Sequence, residues 1–244
     1  MREFGRVLHA ELMKVRWPLT LLIVAVAPAL ALLMRGIPSG QEGFEAYYMG
    51  VVVVYGWIFY PIVSGVMAAL VCRTEHANGG WKQLLALPVR RANVYVAKYL
   101  IVVALLALSQ VIVVAGMWAV VTMSHYSAVP WADTLMGMFS GWVAVLPLAA
   151  LQLWASTRWR AFGGPLALNV VLTFPAIFAV QSEQFDTWYP WGLPVVGMMS
   201  SFSEIVSNQW VAFDSRTLFI VIVGGFVLWF AAGLTHFVRG DVVG

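Results

Sequence analysis

YLIVVALLALSQVIVVAGMWAVVTMS, residues 99–124, runs for 26 residues without a charged side chain. Wound as an α-helix it is about 39 Å long, enough to cross the roughly 30 Å of hydrocarbon in a bilayer. It does not alternate apolar and polar residues, as a barrel strand between lipid and lumen must, and neither does VVVVYGWIFY at 51–60. The stretch reads as a membrane-spanning helix. Moving outward, five further uncharged apolar segments occupy 17–34, 46–72, 134–157, 161–182 and 217–238. A charge at the centre of such a helix costs about 2.5–3.5 kcal/mol, so the absence of any is a constraint on the fold.

The composition agrees. Of the 244 residues 61% are hydrophobic and 10% charged, with a mean hydropathy of +0.85. A soluble domain carries about a quarter charged residues. The fold expected is all-α and polytopic, with six transmembrane helices. Cys72 is the only cysteine, which excludes an internal disulfide and a cysteine-based metal cluster. The N-terminus, MREFGRVLHAELMKVRW, carries both signs of charge and lacks the features of a removable signal peptide. No basic block resembles a nucleic-acid arm.

Twelve of the fourteen Lys and Arg residues fall on one side of this arrangement, leaving Arg35 and Arg216 on the other. Seven of the eleven acidic residues share that other side: Glu42, Glu45, Asp133, Glu183, Asp186, Glu204 and Asp214. The positive-inside rule then puts both termini in the cytoplasm, with the chain a multi-pass protein of a bacterial-type cytoplasmic membrane. Trp17, Tyr47, Tyr48, Trp131, Trp159, Trp188, Tyr189 and Trp210 flank the spans, where such rings settle at headgroup depth.

Three parts lie outside the spans. Residues 1–16 precede the 17–238 transmembrane domain, and 239–244 form a cytoplasmic tail. In 2–16, Phe4, Val7, Leu8, Leu12 and Val15 recur at helical spacing, predicting a helix lying in the interface with its apolar face down. The outer segment 183–216 breaks its apolar pieces with Pro and Gly, predicting short re-entrant or interfacial helices before the last span.

The cytoplasmic loop 73–93 is the most informative part. Trp81, Leu84, Leu85 and Leu87 form a short apolar stripe, with Glu75, Lys82 and Gln83 elsewhere around the helix. Thr74 is placed to cap it, and Pro88 stops it. Arg90 and Arg91 mark the membrane surface, and Lys98 is expected to snorkel toward it. A short amphipathic helix needs a surface to lie on, either lipid or a groove on a soluble partner.

EHANGGWKQLLALPVRRANVYVAKYL, residues 75–100, resembles the first cytoplasmic loop of type-2 permeases of ATP-binding-cassette exporters. The matching residues are Glu75, Gly79, Leu84, Leu85, Pro88, Arg90 and Lys98, and AELMKVRW at 10–17 is similar to the helix that precedes the first span in that family, at Glu11, Lys14 and Arg16. The resemblance implies a coupling helix, including Trp81 and Leu87, that docks into a separate ATPase subunit. It further implies pairing with a second permease copy or a sister permease. No cofactor is implied on this chain; ATP and Mg²⁺ belong to the ATPase. Size and Trp content are similar to lantibiotic-immunity or bacitracin-type permeases, implying export of an antimicrobial peptide, a drug or a lipid.

The residues bear on this independently. No Gly-Lys pair exists, so the chain has no P-loop of its own. A proton-driven carrier is expected to hold ionisable groups within its spans, and only His125 and His236, near span ends, come close. No Gly-x-Ser-x-Gly or intramembrane aspartate pair suggests an enzyme, and His9, His76, His125 and His236 lack metal-ligand spacing. Gln110, Asn169 and Thr173 are polar positions inside spans, read as interhelical ties in the first place and as substrate contacts in the second. Pro28, Pro61, Pro147 and Pro175 are expected to bend spans or free carbonyls, and Gly163-Gly164 and Gly224-Gly225 to allow close packing. A non-transporting membrane scaffold and an ATP-independent carrier or channel stay open beside the exporter.

Overall fold

The structure, a computed structural model, describes residues 2–38, 43–76, 89–124, 126, 128–159, 163–180, 188–202 and 215–240. All regular elements among them are helical. In chain order they are α1 (Arg2–Lys14), α2 (Trp17–Arg35), α3 (Phe44–Val54), a π turn (Tyr55–Phe59), α4 (Tyr60–His76) and α5 (Arg91–Ser124). There follow α6 (Trp131–Ala144), α7 (Leu146–Arg158), α8 (Gly163–Val180), α9 (Leu193–Met199) with a 3₁₀ turn (Ser200–Phe202), and α10 (Ser215–Arg239).

Among the described residues five stretches are long and apolar enough to cross a membrane: Trp17–Arg35, Phe44–His76, Arg91–Ser124, Trp131–Arg158 and Arg216–Arg239. The sixth apolar segment forms α8, which is shorter. Phe44–His76 is one rod of 33 residues that absorbs the π turn immediately before Pro61. Trp131–Arg158 is divided at Val145, where φ −81° and ψ −13° depart from the helix just ahead of Pro147. Pro28 and Pro175 stand inside unbroken helices. The 34 residues of α5 amount to about 51 Å, well beyond the hydrocarbon, so its first turns project past the lipid tails.

The interior is tyrosine-rich. Tyr47, Tyr48, Tyr55, Tyr60 and Tyr95 are fully buried. Several hydroxyls bond the backbone of another element: Tyr48 donates to the Met198 carbonyl at 2.8 Å, Tyr60 to Leu106 at 3.3 Å and Tyr99 to Leu146 at 3.1 Å. Tyr47 and Tyr48, expected as lipid-facing flanking rings, are turned into the bundle instead. Trp17, Trp159 and Trp188 do remain exposed, whereas Trp210 lies outside the described residues. Outward faces carry bare apolar residues such as Leu22, Val171, Phe178, Phe219 and Leu228, as lipid contact requires.

The outer segment contributes α9, whose seven residues are all buried. Its backbone can come so close because its neighbours are small. Gly137 and Gly141, one turn apart on α6, face Met198 and the Pro194 carbonyl, while Gly197 faces Ala144 and the Ser140 carbonyl. Gly56, in the π turn, lies against Val195. These are the close-packing glycines; Gly163 and Gly224 meet open space, and Gly225 makes only ordinary contact with Pro147. Of the Gly-Gly pairs flagged in the sequence, only Gly164 is tightly approached, by the Trp159 ring at 2.7 Å from where a Cβ would stand.

A Cβ on Gly197 would stand 2.7 Å from that of Ala144 and 2.8 Å from the Ser140 oxygen. Gly197→Val is expected to destabilise the protein by about 1–3 kcal/mol, seen as a lower unfolding midpoint in detergent. Gly224→Ala, into open space, should leave the midpoint unchanged or slightly raised.

Candidate functional site

Long-range contacts collect the basic residues at one end of the bundle. His76 Nε2 lies 2.6 Å from the Ser156 carbonyl oxygen, and Arg158 lies 2.6 Å from His236. Arg91 donates to the carbonyls of Val238 at 3.4 Å and Gly240 at 3.3 Å. The last turns of α4, α7 and α10 and the first turn of α5, which touch here, thus include the flanks of the 77–88 segment, which itself lies outside the described residues together with Gly79, Trp81, Leu84, Leu85, Leu87 and Pro88.

At this end α1 turns its apolar stripe onto protein. Val7 is buried, and Phe4, Leu8, Leu12 and Val15 pack against the core, with α5 beneath. The expected interfacial helix is present, but its apolar side rests on the bundle. Glu11 falls inside that stripe, one turn from Val7 and Leu8, and is 3% exposed. Opposite stand Glu75, one turn beyond Val71, and Lys98, one turn before Val102. Each is a single charge on an otherwise apolar helix face.

The three meet with Lys14 in a closed ring of alternating sign. Lys98 Nζ is 2.6 Å from Glu11 Oε2 and 2.9 Å from Glu75 Oε2; Lys14 Nζ is 2.6 Å from Glu11 Oε1 and 2.9 Å from Glu75 Oε1. Lys98 also donates to the Val71 carbonyl at 2.9 Å. Lys98 is fully buried and Glu75 is 3% exposed, so the expected snorkelling of Lys98 is corrected. Two carboxylates and two ammoniums sum to zero, and each charge has two opposite neighbours. Only such closure makes burial tolerable, because an unpaired ion in this position would keep its full desolvation penalty.

The ring holds the start of the 77–88 segment through Glu75, and α1 also holds its end. Glu3 Oε1 accepts from the Arg90 backbone N–H at 3.3 Å and from the Asn93 amide at 3.2 Å. One helix thereby ties both flanks. Glu75 and Arg90, two of the residues singled out in the loop, are placed at its base rather than on its tip. The signal that could have revealed the ring is the lone charge on each apolar stripe, at Glu11, Glu75 and Lys98.

The polar positions inside the bundle lie apart from this ring. Asn169 Oδ1 accepts from Gln152 Nε2 and from Trp191 Nε1, both at 2.7 Å, and its Nδ2 donates to the carbonyls of Pro61 at 2.9 Å and Ile62 at 3.3 Å. Thr173 donates to the Asn169 carbonyl at 2.8 Å. Every donor and lone pair of the Asn169 amide is engaged, joining α4, α7, α8 and the outer segment. Gly65 makes room for it, since a Cβ there would collide with the amide. Gln110 is buried on α5 close to Tyr60, and its amide has no regular hydrogen bond among the described residues. Among the described residues no group of three His, Cys, Asp or Glu could hold a metal ion.

Comparison with known proteins gives one result: the model of the family described as "ABC-2 family transporter protein" matches residues 7–176. No curated protein and no solved structure matches the chain. The matched span contains the whole ring and both flanks of the 77–88 segment.

Lys98→Ala removes one member and leaves the buried Glu75 and Glu11 with a single shared cation. It is expected to cost about 3–5 kcal/mol, measured by denaturant unfolding of the purified protein. Lys98→Ala combined with Glu11→Gln restores neutrality and should recover a substantial part of that loss.

Proposed function

The chain belongs to the ABC-2 family of transporter proteins, and from that premise we propose that it couples ATP hydrolysis on a separate subunit to the export of an apolar or amphipathic substrate. The family makes it a non-catalytic membrane subunit and implies a partner ATPase. The observation that carries the proposal is the double tie of α1 to the two flanks of the 77–88 segment. A segment fixed at both roots to three helices is built to pass a push from its tip into α1, α4 and α5 together. A segment anchored at one root would bend instead.

In this reading six helices span the bilayer, α8 included, and the basic end faces the cytoplasm with both termini. Residues 77–88, with Trp81, Leu84, Leu85 and Leu87 as the apolar contact, dock into the ATPase, which holds ATP and Mg²⁺. Glu75 and Arg90 act as the roots of the lever. A second copy of the chain or a sister permease completes the transporter. Gln110, with its unengaged amide, is retained for the substrate route, while Asn169 and Thr173 serve as ties. The Trp content and chain size support a lantibiotic-immunity or bacitracin-type role, with a peptide, drug or lipid as cargo.

The test is co-purification of the ATPase from native membranes with the Leu84→Asp/Leu85→Asp variant. The expected result is a folded permease that recovers less than about a tenth of the wild-type ATPase, as loss of a central apolar anchor pair predicts. Full recovery of a coupled ATPase would overturn the proposal. Transport by the chain alone in liposomes would overturn it in favour of a carrier or channel.

A further inference from the structure

Beside the ring, on the side away from Lys98, the turn between α1 and α2 and the last turns of α4 enclose a cleft of about 250 Å³. This is near the lower end of small-ligand clefts, which run from about 300 to 1,000 Å³. Its polar lining is Lys14, Arg16, Thr20, Arg73 and Thr74. Its apolar wall is Val15, Leu70 and Val71.

The charges there do not cancel. Lys14 is engaged by Glu11 and Glu75, and those two carboxylates are in turn matched by Lys14 and Lys98, so the ring behind the cleft contributes no net charge. Arg16 and Arg73 are exposed and make no ion pair among the described residues. Thr20, one turn into α2, is 2% exposed and lines the cleft, yet its hydroxyl makes no hydrogen bond among the described residues. Two guanidiniums without an ion pair and a threonine hydroxyl without a hydrogen bond, all among the described residues, line the same cleft. That set is complementary to a tetrahedral oxyanion.

Position decides which oxyanion. Trp17 and Leu21, the chain neighbours of the lining residues Arg16 and Thr20, and Leu22 beyond them are 41%, 43% and 59% exposed on α2. The cleft also sits at the basic end, where the first turn of a spanning helix lies at headgroup depth. Basic pockets at such a level attract anionic lipid. We propose that this cleft holds the phosphate of an anionic lipid headgroup, with the acyl chains running down α2. The inference rests on the chain being a membrane subunit and not on the docking of an ATPase.

The test uses the full-length chain purified in detergent, with phosphatidylglycerol or phosphatidylcholine added before native mass spectrometry. Wild-type protein is expected to retain phosphatidylglycerol and not phosphatidylcholine. Arg16→Gln/Arg73→Gln should weaken retention roughly tenfold or more. Arg6→Gln/Arg239→Gln removes the same number of charges from the same end and should retain the lipid as wild type does. Thr20→Val keeps every charge and should also weaken retention, which keeps the proposal testable if the double arginine variant fails to fold. Equal retention by the Arg16/Arg73 variant, or equal retention of the two lipids, would overturn the proposal. Displacement of the lipid by millimolar inorganic phosphate would overturn it too, by identifying the occupant as a soluble anion.

Discussion

Hydrocarbon offers no water to bond with, so a polar group inside the bundle has only the rest of the chain for a partner. The structure answers this requirement at each depth. Tyrosine hydroxyls reach backbone carbonyls on other helices, which fixes those helices to each other as a side effect of satisfying the phenol. Asn169 does the same for four elements at once. At the basic end the currency changes from dipoles to full charges, and the solution is a ring in which every ion has two counter-ions. Each of these arrangements is cooperative: no member can be removed without stranding another.

The ring also explains why α1 is part of the bundle. A helix of thirteen residues with half its face polar would be a weak membrane anchor by itself. Here it contributes Glu11 and Lys14 to a site where α4 and α5 bring one carboxylate and one ammonium, neutral in sum but each with a single counter-ion until α1 supplies the second. Packing of Val7 and Leu12 places those charges, and the charges in turn orient the helix. The close approach of α9 to α6 is a separate solution at the other end, made by removing side chains altogether at Gly137, Gly141 and Gly197.

Much of this could be read in the sequence. Uncharged runs marked most of the long apolar helices to within a few residues, because the cost of a charge in lipid is large and unambiguous, but they missed the charged first turns of α5, which starts at Arg91 and not at 99. The amphipathic N-terminal helix and the broken outer segment followed from periodicity and from Pro and Gly. What could not be read was which neighbour each face meets. Periodicity tells that Val7, Leu8 and Leu12 share a face, but not whether lipid or protein covers it. Lys98 looked free to reach the surface because nothing in 91–124 shows that Glu11, 87 residues away, arrives above it. Tyr47 and Tyr48 flank a span as expected yet lie on its inner side. Depth is encoded locally; contact across the bundle is not.

The π turn at Tyr55–Phe59 carries a consequence of phase. Above it the buried positions run Phe44, Tyr48, Val52 and Tyr55; below it they resume at Tyr60, Ser64, Met67, Val71 and Glu75, one residue later than an unbroken α-helix would place them. A helix advances about 100° per residue. Wound as ordinary α-helix with no residue removed, Tyr55–Phe59 would give a more regular rod, yet everything beneath the turn would swing through about that angle relative to everything above. Glu75, twenty residues down the chain from Tyr55, would leave its two lysines and face the bilayer. The irregular turn is thus a one-residue spacer whose effect is felt a membrane's thickness away.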